Sequence, residues 1–495
     1  MAQVFTLSKN TIFWLGELDC AEEIYDVICE TRSYLTPEVI SFRDDPHAPK
    51  LFEEHCSRLK SAGRATLWDV DRKLILKLCA QPYFQRKWII QELVLGTPAV
   101  MLCGAAFMSW GDFMNMVYTL ISVNALPWPE KVSAKVHFSE KQPNYRILLL
   151  ASLWRRPGRE KGDLLEILHS TAAFSCVDAR DHVYALLAIA RKQSAPTIVP
   201  NYDLSPEKVY QNLAITLLSQ ERSRLPLLLY QTDRSSPLDL SLPSWVPDWA
   251  HVERAPPILP DIEQPIFHAT RDRSKTLSFS QDYSIWQILG IRLCEVIATT
   301  NSLIDYFLNP AGYNPVWLPT CFVQNWKMHT WFEHCNSTAK RAHLTDKEVL
   351  GSTITCGLYR SPDFGRTPMG YGNMIFKEFE DLAELMDWCR KPGVQDVNLP
   401  QRFTMSSDSI QVLSSQLMLS IRRRFFVTST GLCGMGPRGM QAGDSVCLFY
   451  GGDVPYVLRP AGDGLYTFVG HCYLHGMMDG EGLDLGLSEE EFRIR

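Results

Sequence analysis

The chain has 495 residues, 46% of them apolar and 21% charged, with a net charge of −6. This is the composition of a soluble globular protein, long enough for several domains and for large cores that need no covalent or metal staples. Lys and Arg are scattered and form no basic stripe, so nothing asks for a nucleic-acid partner.

The 14 cysteines form no C-x-x-C pair, and several sit in apolar runs such as Val446-Cys447-Leu448. They read as small buried hydrophobes in a reducing compartment. Cys321, His329, His334 and Cys335 fit no common zinc spacing, so no metal site is expected. Met1 to Lys9 lacks the basic start and apolar core of a signal peptide. No apolar stretch reaches bilayer-spanning length. The expected location is cytoplasmic.

In chain order, Thr11 to Leu15 is a short continuous apolar run closed by Gly16, the pattern of a strand buried on both faces. A helix follows near Ala21 to Tyr34, which makes an α/β unit. A parallel strand needs neighbours, and few residues precede this one. Asp69 to Gly96 is helical in pattern and interrupted near Gln81-Pro82, because proline ends or kinks a helix; its second half runs from Tyr83. Val100 to Gly104 reads as a strand and Trp110 to Val123 as a helix. Asn124 to Gln142, with Pro127 and Pro129, is a linker. Helices follow near Tyr145 to Trp154 and Asp163 to Ser170.

A strong helix is expected from Asp178, capped by Asp178 and Asp181 in capping-box fashion, with Val183, Leu186, Leu187 and Ala190 on its core face. Ser205-Pro206-Glu207 starts another helix, with Ser as cap and Pro in the first turn. Leu242 to Trp249 is an ordered loop, because two prolines forbid a regular element, and Trp245 and Trp249 anchor it. Pro256 to Thr300 alternates in strand fashion around Trp286 to Ile291. Asn309 to Asp363 carries no clear pattern. Phe376 to Cys389 and Ser406 to Arg424 read as helices. The last stretch has short strands at Phe425 to Thr428, Ser445 to Phe449, Val454 to Leu458 and Tyr466 to Tyr473. Gly and Asp turns separate them, which argues for a small antiparallel sheet or barrel.

Four blocks together resemble the fungal heterokaryon-incompatibility (HET) family. They are Trp14-Leu15-Gly16-Glu17, Phe84 to Leu93 with its R-x-W-x-x-Q-E pattern, Asp178 to Leu187 with D-x-R-D-x-V-Y-A-L-L, and Leu242 to Trp249 with P-S-W-x-P-D-W. Asn201-Tyr202 stands where such proteins usually have Asp-Tyr. Gly443-Asp444, Leu458-Arg459-Pro460 and Tyr473 to Glu481 are similar to the tail of long HET proteins. The family's L-S-Y-x-W-G strand and I-D-x-x-C-I-N-Q block are missing, so the first half of that domain is expected to be absent. The fold class expected is therefore α+β and multi-domain, with a truncated α/β (TIR-like) N-terminal region, a helical middle and a small β-rich C-terminal domain. Residues 1–123 would be the HET remnant, 124–255 the helical region, 256–420 mixed α/β, and 421–495 the β-rich domain.

HET domains are similar to TIR domains, in which a glutamate four residues after a tryptophan cleaves the nicotinamide bond of NAD. The resemblance implies Glu92 as that catalytic group, with Trp88 beside it and NAD as substrate. On a helix these two share a face, and the wheel puts Glu92 inside the apolar arc, where a carboxylate would be partly desolvated with raised proton affinity. The oxocarbenium-like state of glycosidic cleavage needs such an anion. The structural alternative pairs Glu92 with Arg86 or Lys87. Asp178, Arg180 and Asp181 are expected to brace a helix. His471 and His475 are expected to point the same way along a strand and to be partly exposed. Gly451-Gly452 is a turn and no phosphate loop, and Asp479 and Glu481 belong to a solvated terminus. No G-x-S-x-G serine is present.

The resemblance implies non-self recognition and programmed cell death in a filamentous fungus, exerted through protein partners by self-association or with other incompatibility proteins. The competing readings are a non-catalytic accessory encoded with a specialised-metabolite gene cluster, and a TIR-like NAD-cleaving hydrolase.

Overall fold

In the computed structural model the described residues are 11–17, 22–26, 78–95, 99–122 apart from 105, 143–156, 160–192, 198–220, 224–230, 242–250, 265–308, 320–359 and 417–495, with isolated positions elsewhere. The chain packs as two units, residues 1–203 and 204–495. Helices and strands are mixed throughout and the strands concentrate at the C-terminal end, an α+β arrangement.

The first unit is built on a three-stranded sheet. β1 (Thr11–Trp14) pairs in parallel with β2 (Ala99–Cys103), which pairs antiparallel with β3 (Ala106–Ser109). Gly104 turns the hairpin at φ +54°, a conformation glycine adopts without a Cβ penalty. β1 was expected to be buried on both faces. Instead Thr11 and Phe13 are buried, while Ile12 and Trp14 are 67% and 53% exposed. The alternation arises because only the Phe13 face is packed: Phe13 meets Tyr83 and Trp110, with ring centroids 5.7 and 6.2 Å apart. The helices are α1 (Ile89–Leu95), α2 (Trp110–Ser122), α3 (Pro143–Arg155), α4 (Leu164–Ser170) and α5 (Asp181–Tyr184). Asp163 caps α4, accepting from Leu165 N at 2.9 Å.

Two helical expectations are corrected. The helix expected from Tyr83 is a 3-10 turn over Pro82–Gln85 followed by α1. Between them the chain is extended at Arg86, where it bridges Ser175: Lys87 N donates to Ser175 O at 2.8 Å and Ser175 N to Gln85 O at 2.7 Å. That tertiary pairing outweighs local propensity. The long helix expected from Asp178 shrinks to the single turn α5 and continues as turns. Its capping box does not form: Arg180 occupies the cap position and its side chain makes no capping bond, and Asp178 Oδ1 accepts from Arg180 N at 3.0 Å instead. The expected helices over 21–34 and 69–80 lie largely outside the described residues, with helical residues at 22–26 and 78–79.

The second unit opens with α6 (Pro206–Ser219), capped by Ser205, whose Oγ accepts from Lys208 N at 3.3 Å. Its strands are β4 (Ser278–Phe279), β5 (Trp286–Thr299), β6 (Leu358–Tyr359), β7 (Gly365–Arg366), β8 (Arg423–Thr428), β9 (Cys433–Pro437), β10 (Ser445–Phe449), β11 (Tyr456–Pro460), β12 (Leu465–His471), β13 (Tyr473–Leu474) and β14 (Glu489–Ile494). The pairings β10–β11–β12–β14–β5–β10 close a ring. It is a five-stranded barrel in which only β12 and β14 run parallel. β5 is long enough to leave the barrel, and its second half pairs with β8 and so carries the side sheet β8–β9–β13.

Gly290 lies where β5 is squeezed between β10 and β14; a Cβ there would stand 2.0 Å from Leu448 O. One face packs Ile291, Val296, Phe426, Val446, Leu448 and Val457. Another gathers Trp286, Phe449, Tyr456 and Phe492, with Phe449 stacked on Tyr456 at 4.8 Å. α7 (Leu303–Leu308) precedes the segment that carried no clear pattern, and α8 (Thr320–Arg341) and α9 (Lys347–Ile354) lie within it. The helix expected over 406–424 lies mostly outside the described residues; its end is a 3-10 turn at Leu417–Leu419 followed by β8, so Arg423 and Arg424 are strand residues.

Candidate functional site

The residues singled out by the sequence meet around the carboxylate of Asp181. Trp88, immediately before α1, donates its indole N–H to Asp181 Oδ2 at 2.9 Å. Tyr202 donates its hydroxyl to Asp181 Oδ1 at 2.7 Å. One carboxylate thus ties together the second block, the third block and the Asn201-Tyr202 pair. Around it, Gln91 Nε2 donates to Ala185 O at 2.7 Å and Tyr184 Oη to Asn201 O at 3.0 Å. The buried Lys87 donates Nζ to Thr171 O at 2.7 Å. Arg180 lies over the Tyr202 ring, 5.0 Å from its centroid, and donates to Tyr202 O.

Electrostatics follow this wiring. The Arg180 guanidinium, 2.7 Å from Asp178, holds the Asp178 carboxyl below the usual range. Burial, reinforced by the bond to Asp181, pushes the Tyr202 phenol up. Cys176 is pushed up to about 12, chiefly by burial, so it stays a thiol and offers no nucleophile at neutral pH.

Glu92 and Trp88 share the first turn, where Glu92 N donates to Trp88 O at 3.4 Å. Their side chains serve different partners. Glu92 is half-buried at the rim of α1, and its Oε2 accepts from the Tyr83 hydroxyl. Arg86 sits 5.7 Å from the Tyr83 ring centroid. Burial, and then the bond to Glu92, pushes the Tyr83 phenol up. Tyr83 was not singled out by the sequence; the carboxylate's partner comes from the 3-10 turn, which was expected to be helix. Gln91 and Tyr184 were also missed, although both belong to quoted blocks.

The remaining blocks are structural in the second unit. Trp245 and Trp249 are buried at 0% and 1% exposure. Trp245 packs on Phe279 and Trp286 at 5.4 and 6.3 Å. Ser244 joins β12 to the residue after β14: it donates to Arg495 O, and its Oγ accepts from Phe468 N at 2.8 Å. The two tail motifs also meet, as Arg459 Nε and Nη2 grip the buried Asp444 carboxylate at 2.8 and 3.0 Å. His471 and His475 do not share a surface, because the strand breaks at Cys472. His471 is buried against Arg423, and His475 sits in a turn bonded to Tyr473 at 3.1 Å. Among the described residues no cluster of ligand side chains fits a metal ion.

Together these observations define an α+β protein with a first unit braced by polar side chains and a closed C-terminal barrel. Residues 372–494 match the Het-6 beta-barrel domain family, and strands β8 to β14 lie within that span. β5, which closes the barrel, comes from upstream of it. The whole chain is similar to heterokaryon incompatibility protein 6, OR allele, of Neurospora crassa, at 21% identity and covering 80% of that protein. No solved structure matches the chain significantly. Both similarities point to the heterokaryon-incompatibility proteins.

Proposed function

We propose that this protein acts in heterokaryon incompatibility, as a non-self recognition factor whose engagement arrests or kills a fungal cell. Similarity along its whole length to a heterokaryon incompatibility protein carries this reading. In this reading the protein works by association with a protein partner. The wiring of the first unit supports that: Asp181, Trp88 and Tyr202 are spent on holding segments together, as befits a rigid recognition body. We place it in the cytoplasm, in keeping with the free cysteines of the described residues. No helix of the described residues is long and apolar enough to cross a membrane.

The test is inducible expression in a filamentous fungus beside an Asp181→Ala variant. Growth arrest with the parent chain, relieved in the variant, is expected. Normal growth at strong expression of the parent chain would overturn the proposal.

A second reading rests on Glu92. Its carboxylate is half-buried and oriented by Tyr83, beside a parallel strand pair flanked by helices. That is the arrangement a TIR-like NAD-cleaving site would need. Loss of NAD with purified protein, compared with Glu92→Gln, decides it; equal rates remove Glu92.

A further inference from the structure

Arg423 begins β8 and is 1% exposed. Its guanidinium closes on one residue of β12. Nη2 lies 2.6 Å from His471 Nε2, Nη1 donates to His471 O at 3.1 Å, and Nε donates to Leu419 O at 3.1 Å. Arginine keeps its proton at all physiological pH and has only donors. His471 Nε2 must therefore be the acceptor, and the imidazole that fits is the neutral ring protonated at Nδ1. A protonated ring has no acceptor. It would lose this bond and set a second cation against the first in an interior where both residues are at most 4% exposed.

We propose that the Arg423–His471 clamp is an acid-sensitive latch, which ties β8 to the end of β12 while His471 is neutral and releases when the ring takes up a proton. The inference is independent of the incompatibility reading.

The other described titratable groups facing the clamp come from each packed element. Tyr456 of β11 is the ladder partner of His471; it is fully buried and coupled to Asp453, which Arg224 faces at 3.6 Å. Cys356, in the turn after α9, bonds Ser420 at 3.7 Å and lies near Arg423 and Tyr473. Cys472 adjoins His471 in the chain. Burial pushes Tyr456, Cys356, Cys472 and Tyr473 up, so all four stay neutral from pH 5 to 8. Burial also raises the Asp453 carboxyl, which lies behind Tyr456 and faces Arg224, so among the described groups His471 is the titrating member bonded to Arg423. The sign follows. Release frees a histidine that ordinarily titrates near 6.5, so opening takes up one proton below that pH. The latched barrel is favoured above about pH 6.5 and loses ground as pH falls, by up to about tenfold in the opening equilibrium per pH unit.

The experiment uses the purified full chain and 4,4′-dithiodipyridine, which labels exposed thiols in acid. Labelling of buried thiols in the parent chain, corrected for the reagent's own pH response with a small thiol, is expected to accelerate about tenfold from pH 6 to pH 5. His471→Gln keeps an acceptor for Arg423 but cannot titrate, and should change by less than about twofold. Arg423→Met should be more open at pH 8 with a flatter pH response, because the opposing cation is gone. The same acceleration in His471→Gln as in the parent would overturn the latch. Should the variants fail to fold, histidine 15N–1H correlation of the parent chain decides alone. A buried ring that is neutral and protonated at Nδ1 at pH 6 is expected, and an imidazolium in the intact barrel contradicts the proposal.

Discussion

The two units hold their shape by opposite means. In the C-terminal barrel the backbone does most of the binding: five strands close on one another, and side chains mainly fill the space between. In the first unit the strands are few and the turns many, and polar side chains bridge distant backbone segments. Lys87 reaches Thr171, Gln91 reaches Ala185, and Asp181 gathers Trp88 and Tyr202. A ladder tolerates changes of side chain and resists insertion between its strands. A stapled junction should behave the other way, tolerating small changes of volume and failing when a donor or acceptor is removed. The difference explains why the first unit shows itself as short polar motifs and the barrel as spaced apolar runs.

The largest effect should come from forcing the ladder apart. Gly290→Ala places a methyl 2.0 Å from the Leu448 carbonyl, and overpacking against backbone is expected to cost about 3 kcal/mol of barrel stability in denaturant unfolding. Unchanged stability would mean that β5 does not run between β10 and β14. Next comes Arg459→Met, which leaves the Asp444 carboxylate buried without its bidentate partner. About 2 kcal/mol is expected, reduced from the fully buried case because Arg459 is one-third exposed. Asp181→Ala should remove about 1.5 kcal/mol from the first unit alone, since it strips the acceptor from Trp88 and Tyr202 together. Hydrogen exchange would localise the loss to residues near 88, 184 and 202, and equal loosening of the barrel would mean that the two units are not held by different means.

The smallest effect is electrostatic. Asp178 is held below the usual carboxylate range by Arg180, so its contribution is present above about pH 4 and fades as pH falls further through the lowered folded value. Both side chains are partly exposed, so added salt should erase most of the difference between the parent chain and Asp178→Asn.

Much of the fold was legible. Short apolar runs bounded by Gly and Asp marked β10, β11 and β12, and a local cap marked α6. What escaped was decided by contacts far away in sequence. β9 reads as a loop because Cys433 to Pro437 contains two glycines and a proline. A Cβ at Gly434 would lie 2.2 Å from Tyr473 O, a constraint visible only once β13 is beside it. β14 reads as a solvated end because of Glu489, Glu490 and Glu491. Yet Arg292 and Tyr450 bond two of those acids while Phe492 and Ile494 are buried. The candidate site was legible as a set of residues but not as a geometry. Trp88 and Glu92 share one turn, but Tyr83 and Asp181, which take hold of their side chains, lie outside that short motif.

In the proposed function, association rather than bond cleavage at Glu92 carries the biology. The most direct measurement follows growth and cellular NAD after inducing the parent chain and Glu92→Gln at matched levels in a filamentous fungus. Arrest of growth to the same extent by both, without a prior fall in NAD, is the predicted result. Arrest by the parent chain alone, preceded by loss of NAD, would contradict it.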